Sequence, residues 1–135
     1  MLAVAGCSQP EPYAPELEVC VQDPAGLEAF KGLLKGYADA EGMTFADSSR
    51  ETAPSGPSRP VVQIAVEKDG AGLAAGNTGL AFYQLAIGFS GAKAEREKLS
   101  ADVVRLLERR WTVEPVGEGG LVIDPECGRY ANWKG

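Results

Sequence analysis

The chain has 135 residues, of which 44% are hydrophobic and 24% charged, enough for one folded domain and too few for a second core. Its net charge of −6 disfavours nucleic acid and anionic membrane surfaces as partners. The sequence contains no histidine, which excludes Ser-His-Asp and Cys-His catalytic sites and histidine-ligated metal centres.

The first residues form a short aliphatic and small-residue run, Leu2-Ala3-Val4-Ala5-Gly6, that ends in Cys7. The segment from Val4 to Cys7 resembles the lipobox of bacterial lipoproteins. This resemblance implies cleavage before Cys7 and a diacylglycerol on its sulfur, which would anchor the protein to a bacterial membrane, with the outer membrane expected, on the periplasmic side. Only six residues precede Cys7 and none is basic, so residues 1–6 correspond to the end of a signal peptide. The alternative is a cytoplasmic N-terminus.

The chain then divides into a tether, a domain and a tail. Three prolines and no apolar periodicity between residues 8 and 16 predict a tether over residues 7–16. We predict a single α+β domain over residues 17–128 and a polar tail over residues 129–135.

The first half of the domain predicts a strand, a helix and further strands. Apolar and polar residues alternate over 17–22, as in a half-buried strand. Asp23 and Pro24 then predict a helix start, and Gly42 predicts its end. A short strand at 43–46, an exposed loop at 47–60 and a strand at 61–67 follow, with a turn at 68–70 and another strand after it. The apolar face of the helix contains Leu27, Phe30, Leu33, Leu34, Tyr37 and Ala38.

The second half predicts a central strand, a second helix and a last strand. Residues 80–89 form the longest apolar stretch and indicate a central strand. Ser90 is predicted to cap a helix with Leu99, Val103, Leu106 and Leu107 on its apolar face. Residues 111–116 predict a last strand, and Pro115 favours an edge position.

This order of elements predicts an α+β fold and resembles a ferredoxin-like two-layer sandwich. Such a fold has an antiparallel sheet with two helices on one face and the last strand beside the first. The turn at 76–79 allows for an added strand or a longer hairpin.

Two cysteines remain if Cys7 carries lipid. Cys20 and Cys127 form an even pair, which predicts a disulfide in an exported protein. The alternative is two buried thiols that pack as small hydrophobic residues. A catalytic thiol is disfavoured because the sequence has no histidine to activate it.

No segment carries a recognisable catalytic, cofactor or metal motif. The glycine-rich residues 70–76 match neither a P-loop nor a dinucleotide fingerprint, and we predict a glycine-rich hairpin there. We predict no catalytic residue, no metal and no cofactor. The carboxylates considered for acid–base work, none linked by a motif, are Asp23, Asp39, Glu41, Asp69 and Asp124.

Aromatic residues near the end of the chain supply the candidate partner-binding groups. Tyr130 and Trp133 lie in a polar tail, so we predict that they contact a partner. Trp111 follows an amphipathic helix and is predicted to belong to the core.

Small size, acidity, expected export and missing catalytic groups together predict a protein-binding module. Residues 1–60 carry four basic and nine acidic side chains, a net −5, which suits a basic partner in the cell envelope. One specific form is an immunity or inhibitor protein against a periplasmic toxin or hydrolase. The alternatives are an accessory subunit of an outer-membrane or secretion assembly and, in a different class, a carboxylate-dependent hydrolase.

Overall fold

The computed structural model describes residues 15–51 and 60–127 and shows an α+β protein. Six strands form one antiparallel sheet, and two helices pack on one of its faces. The predicted α+β class is therefore confirmed. The sheet has more strands than a ferredoxin-like sandwich, because residues 44–76 contribute three strands to it.

The main sheet has the strand order β2-β5-β6-β7-β1-β8, and every neighbouring pair is antiparallel. A separate small sheet pairs β3 with β4. The elements are β1 (Pro15–Cys20), α1 (Pro24–Glu41), β2 (Thr44–Asp47), β3 (Arg50–Glu51), β4 (Pro60–Val61), β5 (Gln63–Lys68), β6 (Ala71–Gly76), β7 (Gln84–Gly91), α2 (Lys93–Leu107) and β8 (Val113–Pro115).

The first and last strands lie side by side, as predicted. Strand β8 is the edge strand beside β1, with Pro115 opposite Leu17. Pro115 is tolerated there because an edge position needs no donor on its outer side. Strand β7 is interior, between β6 and β1, but it begins at Gln84, since the preceding residues form a turn in which Leu80 N donates to Asn77 O at 2.9 Å.

The predicted start and end of α1 are both confirmed. Asp23 Oδ1 accepts a hydrogen bond from Gly26 N at 2.7 Å, and Gly42 has a φ of 70°, a left-handed conformation that glycine adopts easily. The predicted cap of α2 is wrong. Ser90 lies within β7, which stays paired with β6 as far as Gly91, so the helix begins only at Lys93 and has no side-chain cap.

The core lies between the sheet and the two helices. Alternate strand residues point towards the helices because side chains of a strand alternate between the two faces. Both predicted apolar helix stripes face this layer, although Leu33, Tyr37 and Leu106 are only partly buried. The completely buried large side chains include Phe30, Leu34, Leu73, Leu85, Ile87, Val103 and Leu107.

Candidate binding surface

Among the described residues, no helix covers the second face of the sheet, which we call the open face. Its centre is a row of small residues in direct register across five strands. Ala46 lies opposite Ala65, Ala65 opposite Ala74, Ala74 opposite Gly88, and Gly88 opposite Pro15. Without large side chains the sheet surface is concave, and it forms an apolar groove of about 420 Å³.

The end of the described chain is fastened to this open face. A disulfide joins Cys20 to Cys127, with a Cα–Cα distance of 5.7 Å, so the predicted disulfide is confirmed and the alternative of two free thiols is wrong. Gln84 lies opposite Cys20 in the sheet, so its side chain is on the same face as that of Cys20, and it is 2% exposed. Its Nε2 donates to Val122 O at 2.9 Å, and its Oε1 accepts from Asp124 N at 2.9 Å.

These contacts hold residues 121–124 against the sheet as a segment that we call the ridge. Leu121 lines the apolar groove, whereas Asp124 lines a second cavity. Val122 and Ile123 lie between these two residues and are 70% and 57% exposed. They are the exposed large hydrophobic residues of the part of the chain that the structure describes. The ridge thus joins exposed apolar side chains to the apolar groove.

The second cavity, which we call the acidic cleft, has a volume of about 550 Å³. Glu18 on β1 lies directly opposite Glu114 on β8, and Asp124 also lines the cleft. Like charges in such a cross-strand pair disfavour folding. Gln84 Nε2 donates to Glu18 Oε1 at 3.1 Å, but no Lys or Arg among the described residues forms an ion pair with these three carboxylates.

Trp111 forms part of the wall of the acidic cleft and also touches the core. Its ring centroid lies 6.2 Å from that of Phe30, and the side chain is partly buried against the core, in agreement with the prediction. Arg110, which also lines the cleft, lies over the ring, with its guanidinium carbon 5.4 Å from the centroid. The cleft therefore combines an aromatic wall and one guanidinium with four carboxylates, those of Glu18, Asp23, Glu114 and Asp124. This excess of negative charge suits a cationic or amphipathic group.

The structure brings two of the carboxylates considered in the sequence to the acidic cleft. Asp23 caps α1, and Asp39 pairs with Lys35 at 3.4 Å, so both have structural roles. Asp23 and Asp124 both line the acidic cleft. Within residues 15–51 and 60–127, no group of three or more Cys, Asp or Glu side chains could hold a metal ion.

Several predicted site residues lie outside the described residues. These are Cys7, Tyr130 and Trp133, and their predicted roles stay predictions. Residues 70–76 form the turn and strand β6 of a hairpin, as predicted, with Gly70 at a φ of 94°. The row of small residues was missed, although alanine and glycine at alternate positions of β6 were its visible signal.

Neither described helix has the length and apolarity needed to span a membrane. No protein-family model, curated protein or solved structure matches this chain.

Proposed function

We propose that this protein is a non-enzymatic lipoprotein of the bacterial envelope that binds another protein, specifically as an immunity or inhibitor protein against a periplasmic toxin or hydrolase. The observation that carries the proposal is the exposed pair Val122 and Ile123, which directly follows Leu121 of the apolar groove. Apolar side chains that continue into an apolar concavity are typical of protein interaction sites.

Two features support an envelope location. The lipobox-like segment ending in Cys7 supplies the anchor, and the disulfide between Cys20 and Cys127 suits an oxidising compartment. Protein expressed from its natural gene should be recovered with membranes and carry the mass of a diacylglycerol on Cys7. The Cys7→Ser variant should be released from membranes. Unmodified wild-type protein in the cytosol would contradict this location.

A photo-crosslinking residue at position 122 tests protein binding in cells. We expect one defined adduct in the envelope fraction, identified by mass spectrometry, because Val122 is 70% exposed. The matched control carries the same crosslinker at position 101, where Ala101 is exposed on α2, away from the open face. No adduct at position 122, or identical adducts at both positions, would contradict the proposal.

The identity of the adduct separates an inhibitor from an accessory subunit, the alternative form of the same function. An inhibitor should abolish the activity of the purified partner at a one-to-one ratio. An accessory subunit should leave activity intact and co-purify with a larger envelope assembly.

The carboxylate-dependent hydrolase is the alternative of a different class, and Glu18 opposite Glu114 in the acidic cleft is the observation that favours it. Acid–base hydrolysis uses a pair of carboxyl groups, and these two lie on neighbouring strands. Incubation with isolated cell-wall material tests this function. Product formation that disappears in both Glu18→Gln and Glu114→Gln would replace the binding proposal.

We also propose that the sheet is a ferredoxin-like core with two added strands. The subset β8-β1-β7-β6 with its two helices supports this, because it has the order of a split βαβ arrangement when β2 and β5 are taken as additions. Interstrand amide contacts measured by NMR should reproduce these antiparallel pairs. A parallel pair within the subset would contradict the assignment.

A further inference from the structure

The apolar groove and the acidic cleft lie on either side of the ridge and belong to one surface. Leu121 lines the groove and Asp124 lines the cleft, three residues further along the chain. In addition, Ala86 in the groove lies opposite Glu18 in the cleft. A molecule lying across the ridge would meet an apolar floor on one side and carboxylates on the other.

The negative charge of this surface indicates which kind of molecule it can bind. Glu18, Glu114 and Asp124 have no ion-pair partner among the described residues. A second copy of the chain, with its net charge of −6, would be repelled, and so would an anionic bilayer. A cationic partner would instead be attracted, and a nearby positive charge would relieve the unfavourable Glu18–Glu114 pair.

We infer that the open face binds a basic amphipathic segment of a protein partner, with its apolar side chains in the groove over Ala46, Ala65 and Ala74 and a Lys or Arg side chain in the acidic cleft. The inference rests on the proposed binding function and names the chemistry of the partner. The groove volume of about 420 Å³ is within the range of sites that enclose several apolar groups.

Alanine-methyl NMR tests this inference directly, because Ala46, Ala65, Ala74 and Ala86 report on the groove and Ala101 reports on α2. The probe is a synthetic amphipathic peptide of Leu and Lys. Two control peptides replace Leu by Ser or Lys by Glu, which removes the apolar or the cationic component alone. We expect saturable shifts of the four groove methyls with the Leu–Lys peptide only, and none at Ala101.

Two sets of variants locate the two components. Ala65→Lys should weaken binding of the Leu–Lys peptide about tenfold or more by filling the groove with a like charge, equivalent to the loss of about 1.4 kcal/mol. Ala46→Lys, at an exposed position of edge strand β2, provides a second variant if the first does not fold. Ala101→Lys adds the same charge elsewhere and should bind like wild type. The double variant Glu18→Gln/Glu114→Gln should bind the Leu–Lys peptide more weakly, and this binding should depend less on salt concentration. The control variant Glu97→Gln on α2 should bind the peptide like wild type.

The outcomes separate this inference from the proposed function. Equal methyl shifts with the Leu–Lys and Ser–Lys peptides, shifts with anionic phosphatidylglycerol vesicles alone, or shifts on simple concentration of the protein would each overturn the inference. A crosslinked partner at position 122 together with unshifted groove methyls would overturn the inference and leave the binding function standing. Groove binding of the peptide without any cellular adduct would overturn the proposed function instead.

Discussion

Two glycines of helix α1 have opposite surroundings, although the sequence presents both as weak points of a helix. A methyl group on Gly26 would overlap the carbonyl oxygen of Val21, whereas one on Gly32 would meet nothing within 4 Å. Close approach of α1 to the end of β1 therefore requires glycine at the first position only.

We expect Gly26→Ala to lower the free energy of unfolding by about 2 kcal/mol or more, because backbone must move to admit the methyl group. Gly32→Ala is the matched control and should raise it by about 0.5–1 kcal/mol through helix propensity. Urea denaturation measures both. Similar destabilisation by the two variants would show that the packing at Gly26 has no special role.

Asn77 is a buried polar residue, 6% exposed, that holds three backbone segments together. Its Oδ1 accepts from Val62 N at 2.9 Å, and its Nδ2 donates to Pro60 O at 2.9 Å and Phe82 O at 2.8 Å. Asn77→Ala should lower the free energy of unfolding by about 3 kcal/mol, since it leaves buried groups without partners. Thr78→Ala, at an exposed neighbouring position, should change it by less than about 0.5 kcal/mol. A small effect at Asn77 would mean that water replaces the amide.

At the scale of elements, the two helices are joined by Asp102. Its Oδ2 accepts from Tyr37 Oη at 2.9 Å and from Lys98 Nζ at 2.8 Å, and Oδ1 accepts from Arg105. The hydrogen bond from Lys98, followed by that from Tyr37 and the two positive charges, lowers the pKa of Asp102 despite partial desolvation. Burial, and then the hydrogen bond to Asp102, raises the pKa of Tyr37.

This lowered pKa makes the helix contact sensitive to acid. Its contribution is complete above the ordinary aspartate pKa of about 4 and disappears as pH falls through the lower folded value. Asp102→Asn should cost about 1–2 kcal/mol at pH 7 and much less at pH 2, measured by urea unfolding at both pH values. Asp39→Asn, which removes an exposed ion pair with Lys35, should cost less than about 1 kcal/mol. An Asp102→Asn cost that does not change with pH would contradict this account.

At the scale of the whole molecule, the disulfide joins the first strand to the end of the described chain, 107 residues away. Closing a loop of this length stabilises the folded state by up to roughly 4–5 kcal/mol in the chain-entropy account. The same bond keeps the ridge on the open face, together with Gln84. The stability of the fold and the position of the ridge therefore both depend on this disulfide.

The double variant Cys20→Ser/Cys127→Ser, which lacks the disulfide, should have a free energy of unfolding lower by several kcal/mol. Hydrogen exchange should speed up at the amides of Asp124 and Cys127, both hydrogen-bonded in the oxidised protein, while β5 and β6 stay protected. Cys7→Ser leaves the disulfide intact and serves as control. Unchanged exchange at residues 121–127 would show that Gln84 alone holds the ridge.

The sequence by itself determined the local structure of this protein. Signals that depend only on neighbours along the chain are confirmed. These are the apolar periodicity of α1, its cap at Asp23, its end at Gly42 and the turn at 68–70. Ser90 failed as a cap because strand pairing with β6, a distant contact, extended β7 through that residue. The paired cysteines also predicted a contact that the fold confirms.

Only the tertiary structure decided where the candidate binding surface lies. Ala46, Ala65 and Ala74 come from separate strands, and strand register alone aligns them into a groove. Glu18 and Glu114 lie much further apart in the sequence, and they are opposite each other because β8 returns beside β1. A sheet face is assembled by hydrogen bonds between remote segments, so its shape and charge are properties of the register and not of any one segment.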